Sequence, residues 1–254
     1  MGIAHKANSF LDSLGGVRQP RVRKLSDQEN LKQKNMNQIA VDGPAGAGKS
    51  TVAKEVSRRL GFMYVDTGAM YRTIGLECLK HGADVNDEGE VAKVCASSKI
   101  KIKYIGSVQH MYIGPEDVSG QIRTQRCAAA ASAVARYESV RTKLVALQRQ
   151  LGNEYDVVMD GRDIGTCVLP DAGLKIFLTA SVQCRALRRF NELKEKGIPC
   201  SLDEIKAEIE KRDYEDSHRK ISPLKKADDA LYLDTSEMTV DEAADAVIEQ
   251  WKLS

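Results

Sequence analysis

The sequence has no long apolar run, no large excess of one charge and few aromatic residues, and each shortage argues against a class of protein. No uninterrupted apolar stretch approaches the roughly 18 residues that a transmembrane helix needs, so we expect a chain that does not cross a membrane. Lysine and arginine total 38 against 36 aspartate and glutamate, which leaves +2 at pH 7. With this balance, four phenylalanines and one tryptophan, a nucleic-acid binder fits poorly and any anion site must be local.

Cysteine is present, but without the spacing of a metal site or a redox pair. None of the six cysteines belongs to a CxxC pair. We therefore expect free thiols in a reducing cytosol, and a cytoplasmic location. The six are Cys78, Cys95, Cys127, Cys167, Cys184 and Cys200.

Residues 1–35 differ from the rest of the chain. They are polar, contain seven lysines or arginines against three acidic residues, and show no sustained period. We interpret them as a flexible basic tail. A transit peptide, an upstream start codon and residues added for expression stay open as explanations.

Residues 36–254 alternate short apolar strands with helical patterns. Predicted strands cover 39–42, 62–65, 157–159, 174–178 and 231–233, and the helix after the first strand ends at Gly61. Ser201 and Thr239, each followed three residues later by glutamate, predict capping boxes. The alternation predicts an α/β fold with a parallel sheet covered by helices on both faces.

One stretch breaks this alternation. Ile100, Ile102 and Tyr104 alternate with lysines, and Met111 and Ile113 follow after a Gly-Ser pair. This period of two predicts a small antiparallel insertion within residues 98–120.

A GxxxxGK[ST] pattern lies between the first predicted strand and the helix that follows, which is the context a phosphate-binding loop requires. Glycines let backbone N–H groups face the phosphates of ATP. We expect Lys49 to carry its charge in a solvent-accessible loop and Ser50 to offer a hydroxyl to Mg²⁺. The residues assigned to ATP are Gly43, Pro44, Ala45, Gly46, Ala47, Gly48, Lys49, Ser50 and Thr51.

Asp160 ends an apolar run and is placed like the acid that holds the magnesium or its water shell. The alternative is that it caps a helix or a turn.

A phosphate loop alone does not separate kinases from GTPases, motors or ATP-driven switches. Arginines in or beside loops and helix starts favour a second phosphate-bearing substrate, because the guanidinium fork can donate two parallel hydrogen bonds. They are Arg72, Arg123, Arg141, Arg162, Arg188, Arg212 and Arg219.

Three stretches resemble the bacterial-type cytidylate kinase family: DTGAMYR at 66–72, EDVSGQIRT at 116–124 and DGRDIGT at 160–166. The resemblance spans about residues 37–252. It implies a P-loop nucleoside monophosphate kinase with an NMP-binding insertion and a helical lid at 181–220.

The resemblance also implies residue roles. It assigns the CMP phosphate to Arg72, Arg162 and Arg219, and the ribose to Thr67 and Asp216. It assigns the cytosine to Ser132, Arg141 and Asp163. It directs Arg188 and Arg212 of the lid at the transferring phosphoryl group, so the implied catalytic residues are Lys49, Arg162, Arg188 and Arg212.

The implied reaction is in-line transfer from ATP to CMP or dCMP with Mg²⁺ as cofactor and no protein nucleophile or general base. We expect a monomer with these small molecules as its only partners. Two alternatives stay open at this point: a kinase of the same fold that acts on UMP or AMP, and an ATP-dependent switch.

Overall fold

A computed structural model describes residues 36–254, and the predicted tail at 1–35 lies outside them. Strands form where the apolar runs were found, with bounds that differ by one or two residues. Phe62 donates its amide to Ser57 O and closes the preceding helix, so the second strand begins one residue late. The strands are β1 Gln38–Asp42, β2 Met63–Asp66, β3 Ile100–Ile105, β4 Val108–Ile113, β5 Glu116–Asp117, β6 Val157–Gly161, β7 Leu174–Thr179 and β8 Leu231–Asp234.

The main sheet has five parallel strands in the order β2-β6-β1-β7-β8. Its register places Asp66 of β2 opposite Asp160 of β6, and Asp42 of β1 opposite Gly161. The loops that leave the carboxyl ends of β1, β2 and β6 therefore start side by side, which is where ligands bind in open parallel sheets.

Helical segments separate the five strands of the main sheet along the chain. Gly61, with φ 70°, ends the first of them, as predicted. Within the described range the α-helices are α1 Lys49–Leu60, α2 Thr67–Lys80, α3 Glu88–Ser97, α4 Gln125–Val134, α5 Glu138–Glu154, α6 Val182–Glu195, α7 Leu202–His218 and α8 Val240–Leu253.

Both faces of the sheet are covered, so its strands are apolar on both sides. On one face, Ile39 and Val41 of β1 pack against Val56 of α1 and Val247 of α8. On the other face, Ala40 packs in a cluster with Met159 of β6, Val145 of α5 and Ile164. The prediction of a doubly covered parallel sheet is confirmed.

A second core lies beside the sheet and belongs to the insertion. β3, β4 and β5 form a separate antiparallel sheet, as predicted. Met111 of β4 is buried with Met70 and Ile74 of α2 and with Leu144 of α5.

Two side-chain contacts hold the insertion against β2. The Gln109 side-chain oxygen accepts from the Asp66 amide at 2.8 Å, and its Nε2 donates to Asp66 O at 3.1 Å. Tyr104 donates its hydroxyl to Tyr64 O at 2.9 Å.

The predicted lid region contains α6 and α7, which pack on each other through Ala186, Leu193, Ile205 and Ile209. One capping prediction is confirmed and one is wrong. Thr239 forms the full capping box with Glu242, whereas the Ser201 side chain makes no capping bond.

All six cysteines are free thiols. Among residues 36–254, none of the helices combines the length and the apolar character that crossing a bilayer requires.

Candidate active site

The predicted phosphate loop connects β1 to α1. Gly43, Gly46 and Gly48 have φ values of 146°, 75° and 89°, in the region that side chains disfavour. At Gly43 there is also no room, because a Cβ would lie 1.9 Å from Leu178 O. The glycines are therefore required by the backbone path itself, and the loop reaches the N-terminus of a twelve-residue helix.

Lys49 lies inside this loop, and the expectation that it would be solvent-accessible is wrong. The residue is 5% exposed and donates from Nζ to Pro44 O at 2.7 Å, because the loop curls around its ammonium group. Burial, and next the positive charge of Arg162, lower the pKa of Lys49 well below its usual value. Lys49 and Arg162 thus concentrate positive charge between the ends of β1 and β6.

Asp160 lies beside the loop and caps neither a helix nor a turn. Its Oδ2 accepts from the Ser50 hydroxyl at 2.8 Å and its Oδ1 accepts from the Tyr64 hydroxyl at 2.8 Å. Burial, and next the negative charge of Asp66, raise the pKa of the Asp160 carboxyl. The two adjacent carboxylates favour a cation at this place.

These donors fit Mg²⁺. The ion prefers oxygen ligands and in kinase sites takes one or two from the protein and the rest from phosphates and water. Ser50 and Asp160 supply a hydroxyl and a carboxylate side by side. Across residues 36–254 there is no cluster of three or more histidine, cysteine, aspartate or glutamate side chains that could hold a metal without a substrate.

Three arginines converge next to the loop. Arg162 donates from Nε to Asp216 at 2.8 Å, and Arg72 donates to Asp66 at 2.9 Å. Arg212 has no carboxylate partner within the described residues, and Nε of both Arg72 and Arg212 is buried without a hydrogen-bond partner.

The positive charge of this cluster exceeds what its carboxylates balance. Burial, and next the charge of Arg162, lower the pKa of Arg212 to about 10, and Arg72 contributes in the same direction. Buried polar groups normally have partners, so the free Nε–H groups indicate where an anion binds.

Another ion pair is more deeply buried than the arginine cluster. Arg141 donates to Asp163, and both side chains are less than a tenth exposed. Arg219 donates to the other Asp163 oxygen at 3.3 Å. The structure thus brings Arg219, assigned above to the phosphate, against Asp163.

Four further predicted residues lie outside the arginine cluster and the Arg141–Asp163 pair. The Thr67 hydroxyl donates to Asp160 O at 2.7 Å. Arg188 donates to Thr235 O at 2.7 Å, with its guanidinium beside Gly48 of the loop. Thr51 is exposed on the first turn of α1. Ser132 is half-buried on α4, and among the described residues no hydrogen bond joins it to Arg141 or Asp163.

Sequence reasoning missed Arg185, which ties the lid to the loop. Arg185 is 4% exposed, donates from Nη1 to Ala45 O at 3.0 Å and pairs with Asp213 of α7 at 2.7 Å. An arginine among other arginines on a polar helix looks like a solvated surface residue, so the sequence carries little signal for this contact. Asp42, at the end of β1, was also missed, although an acid that ends an apolar strand is the same signal that identified Asp160.

Comparison with known proteins agrees with this geometry. The family model described as cytidylate kinase matches residues 39–253. A cytidylate kinase of Lactobacillus johnsonii is 50% identical over 222 residues, covering 86% of this chain and 96% of that protein. The cytidylate kinase of Bacillus pumilus is 47% identical over 211 residues, covering 83% and 94%.

The solved structures are only distantly similar to this chain. A shikimate kinase from Bacteroides thetaiotaomicron has a TM-score of 0.43 and 14% identity, covering 85% of this chain and 99% of that one, which is too distant to bear on function. With a phosphate loop, an arginine cluster beside it that its carboxylates do not fully balance and a family match that runs from β1 to α8, the chain belongs to the cytidylate kinase family.

Proposed function

We propose that the chain transfers the γ-phosphate of ATP to CMP or dCMP, giving ADP and CDP or dCDP. The observation that carries the proposal is the juxtaposition of two anion sites. The sheet register places Asp42, which precedes the phosphate loop, opposite Gly161, which precedes Arg162, and the positive charge of Arg162 lowers the pKa of both Lys49 and Arg212. A donor phosphate and an acceptor phosphate would therefore meet between these groups.

The donor side uses the segment from Gly43 to Thr51. Its backbone N–H groups and the N-terminus of α1 would hold the phosphates of ATP, and Lys49 would replace its bond to Pro44 O with one to a phosphate oxygen. Mg²⁺, held by Ser50 and by Asp160 directly or through water, would neutralise charge on the phosphates.

The acceptor side uses the arginine cluster and the insertion. Arg72 and Arg162 would bind the CMP phosphate together with Arg219, while Thr67 and Asp216 would bind the ribose. The Thr67 hydroxyl donates its hydrogen bond to Asp160 O, so its oxygen can still accept one from a ribose hydroxyl. The Arg141–Asp163 pair and Ser132 would recognise the cytosine.

In the reaction, an oxygen of the CMP phosphate forms a bond to the γ-phosphorus as the bond to the ADP oxygen breaks. The attacking oxygen is already ionised at neutral pH, so no general base is needed. Lys49, Arg162, Arg188 and Arg212 would offset the charge that develops on the transferring group, and movement of α6 and α7 would exclude water.

The test is a coupled assay with ATP, Mg²⁺ and each of CMP, dCMP, UMP, AMP and GMP. We expect phosphorylation of CMP and dCMP with kcat/KM at least tenfold above that for UMP, because a mismatched buried polar group costs about 1 to 3 kcal/mol. Preferred use of UMP or AMP would overturn the substrate assignment. Hydrolysis of ATP at the same slow rate with and without every acceptor would support a switch instead. A cytoplasmic monomer without a nucleic-acid partner stays our expectation.

A further inference from the structure

Asp42 is the last residue of β1 and directly precedes Gly43, and its buried side chain lies against the turn that begins at Ile164. Oδ1 accepts from the Ile164 amide at 2.7 Å, and Oδ2 accepts from the Gly165 amide at 2.7 Å. The residue is only 5% exposed. Both oxygens of one buried carboxylate are thus committed to consecutive backbone groups.

The two amides begin a π-helical turn, Ile164–Val168, that follows Arg162 and Asp163 without a gap. N–H groups at the start of a helical turn have no partner within the turn, and leaving them buried and unpaired is costly. Two parallel bonds at a fixed spacing determine both the position and the rotation of the turn. They also determine where the two preceding side chains point.

There is little free space around the Asp42 carboxylate and the turn that it contacts. A Cβ on Gly165 would lie 3.1 Å from Lys175 Cδ and 3.4 Å from Asp42 Oδ2, so the turn packs closely against side chains of β7 and β1. Burial raises the pKa of Asp42 to about 6. The fold therefore keeps a charged group where an apolar residue would be less costly, which points to a need for the two bonds.

We infer that Asp42 is a positioning residue that couples the donor loop to the acceptor segment Arg162–Asp163. This inference rests on the proposed function, which places Arg162 on the CMP phosphate and Asp163 on the base. Asp42 touches neither substrate. It joins the strand that leads into the phosphate loop to the turn that orients the CMP-binding side chains.

The test is Asp42→Asn, which keeps the shape but offers one acceptor and one amide group to two N–H donors. We expect KM for CMP to rise roughly tenfold or more and the CMP/UMP preference in kcat/KM to shrink, with KM for ATP within about twofold of wild type. Amide exchange at Ile164 and Gly165 should accelerate. Asp229→Asn, which removes an exposed carboxylate paired with Lys175, is the control and should behave as wild type.

A second variant covers the case in which Asp42→Asn folds poorly. Gly165→Val places a branched side chain between Lys175 Cδ and Asp42 Oδ2 while keeping the carboxylate, and displacement of the turn should raise KM for CMP in the same selective way. Equal rises in KM for ATP and CMP, or unchanged KM for CMP in a variant whose two amides exchange faster, would overturn the inference. If wild type does not phosphorylate CMP, the proposed function fails by itself. Unchanged amide exchange in Asp42→Asn would reject the contact independently.

Discussion

Asp163 is held between two arginines, with Arg141 on one carboxylate oxygen and Arg219 on the other. Its side chain makes no capping bond to the π-helical turn that follows it. The carboxylate is therefore positioned by charge partners rather than by the local backbone. A carboxylate held in this way presents only acceptors, and the amino group of cytosine is a donor whereas the corresponding group of uracil is a carbonyl.

Base choice should depend on Asp163. Asp163→Ala would leave Arg141 buried without its partner, a change that costs about 3 to 5 kcal/mol, so Asp163→Asn is the more informative variant. We expect the CMP/UMP ratio of kcat/KM to fall from at least tenfold toward unity, mainly through loss of the CMP contact. An unchanged ratio, with both substrates slowed equally, would reject Asp163 as the residue that reads the base.

Lys49→Met should abolish transfer and leave the fold intact. The variant removes the ammonium group but keeps most of the apolar stem, and burial of that ammonium disfavours its charged form. We therefore expect kcat to fall by about a hundredfold or more, with a melting temperature equal to or above that of wild type. Near-normal turnover at saturating ATP and Mg²⁺ in the folded variant would contradict the assignment.

Gly43→Ala should damage the protein far more than Gly61→Ala. Both positions have positive φ, but a Cβ at Gly43 would meet Leu178 O at 1.9 Å whereas Gly61 has nothing within 4 Å. The change at Gly61 should cost about 1 kcal/mol in free energy of unfolding, through backbone strain alone. The change at Gly43 must also displace backbone, so we expect loss of ATP binding. Equal melting temperatures for the two variants would contradict this account.

Stability should respond to pH at Asp42. The charges of Lys49, Arg162 and Asp163 act on this carboxyl, and burial raises its pKa from 3.8 to about 6. Because the folded-state pKa is the higher one, the folded protein binds more protons between about pH 4 and 6, and Asp42 destabilises the fold as the pH rises through that range.

The difference of about two pKa units corresponds to ~3 kcal/mol. Relative to Asp42→Asn, wild type should gain about 1 to 3 kcal/mol in free energy of unfolding as the pH falls from 7 to 4. Denaturant titrations of both proteins at several pH values measure this difference. A constant difference would show that Asp42 ionises normally.

The two predicted capping boxes provide a paired test. Thr239→Ala removes a hydroxyl that accepts from the Glu242 amide, and should cost about 0.5 to 2 kcal/mol in free energy of unfolding. Ser201→Ala removes a hydroxyl that makes no such bond and should change stability by less than about 0.5 kcal/mol. A larger loss of stability in Ser201→Ala than in Thr239→Ala would indicate that the Ser201 hydroxyl caps α7 in solution.

The sequence predicted the features that depend on local pattern. The alternating apolar runs identified the sheet, and the glycine pattern identified the loop, because both follow from what each residue does to its own backbone. The predicted solvent exposure of Lys49 was wrong, since exposure depends on how the loop curls around the side chain. Asp42 and Arg185 were missed, because their partners lie 122 and 140 residues away along the chain and no local period records such contacts.

The Gln109–Asp66 contact has a consequence for the protein in crowded solution. β2 is an outer strand of the main sheet, and outer strands offer unpaired backbone groups to which another chain can add a strand. Gln109 occupies both the amide and the carbonyl of Asp66, and Tyr104 occupies the carbonyl of Tyr64. The insertion therefore blocks intermolecular strand addition at this edge. Its removal would promote aggregation and would also remove part of the proposed CMP-binding site.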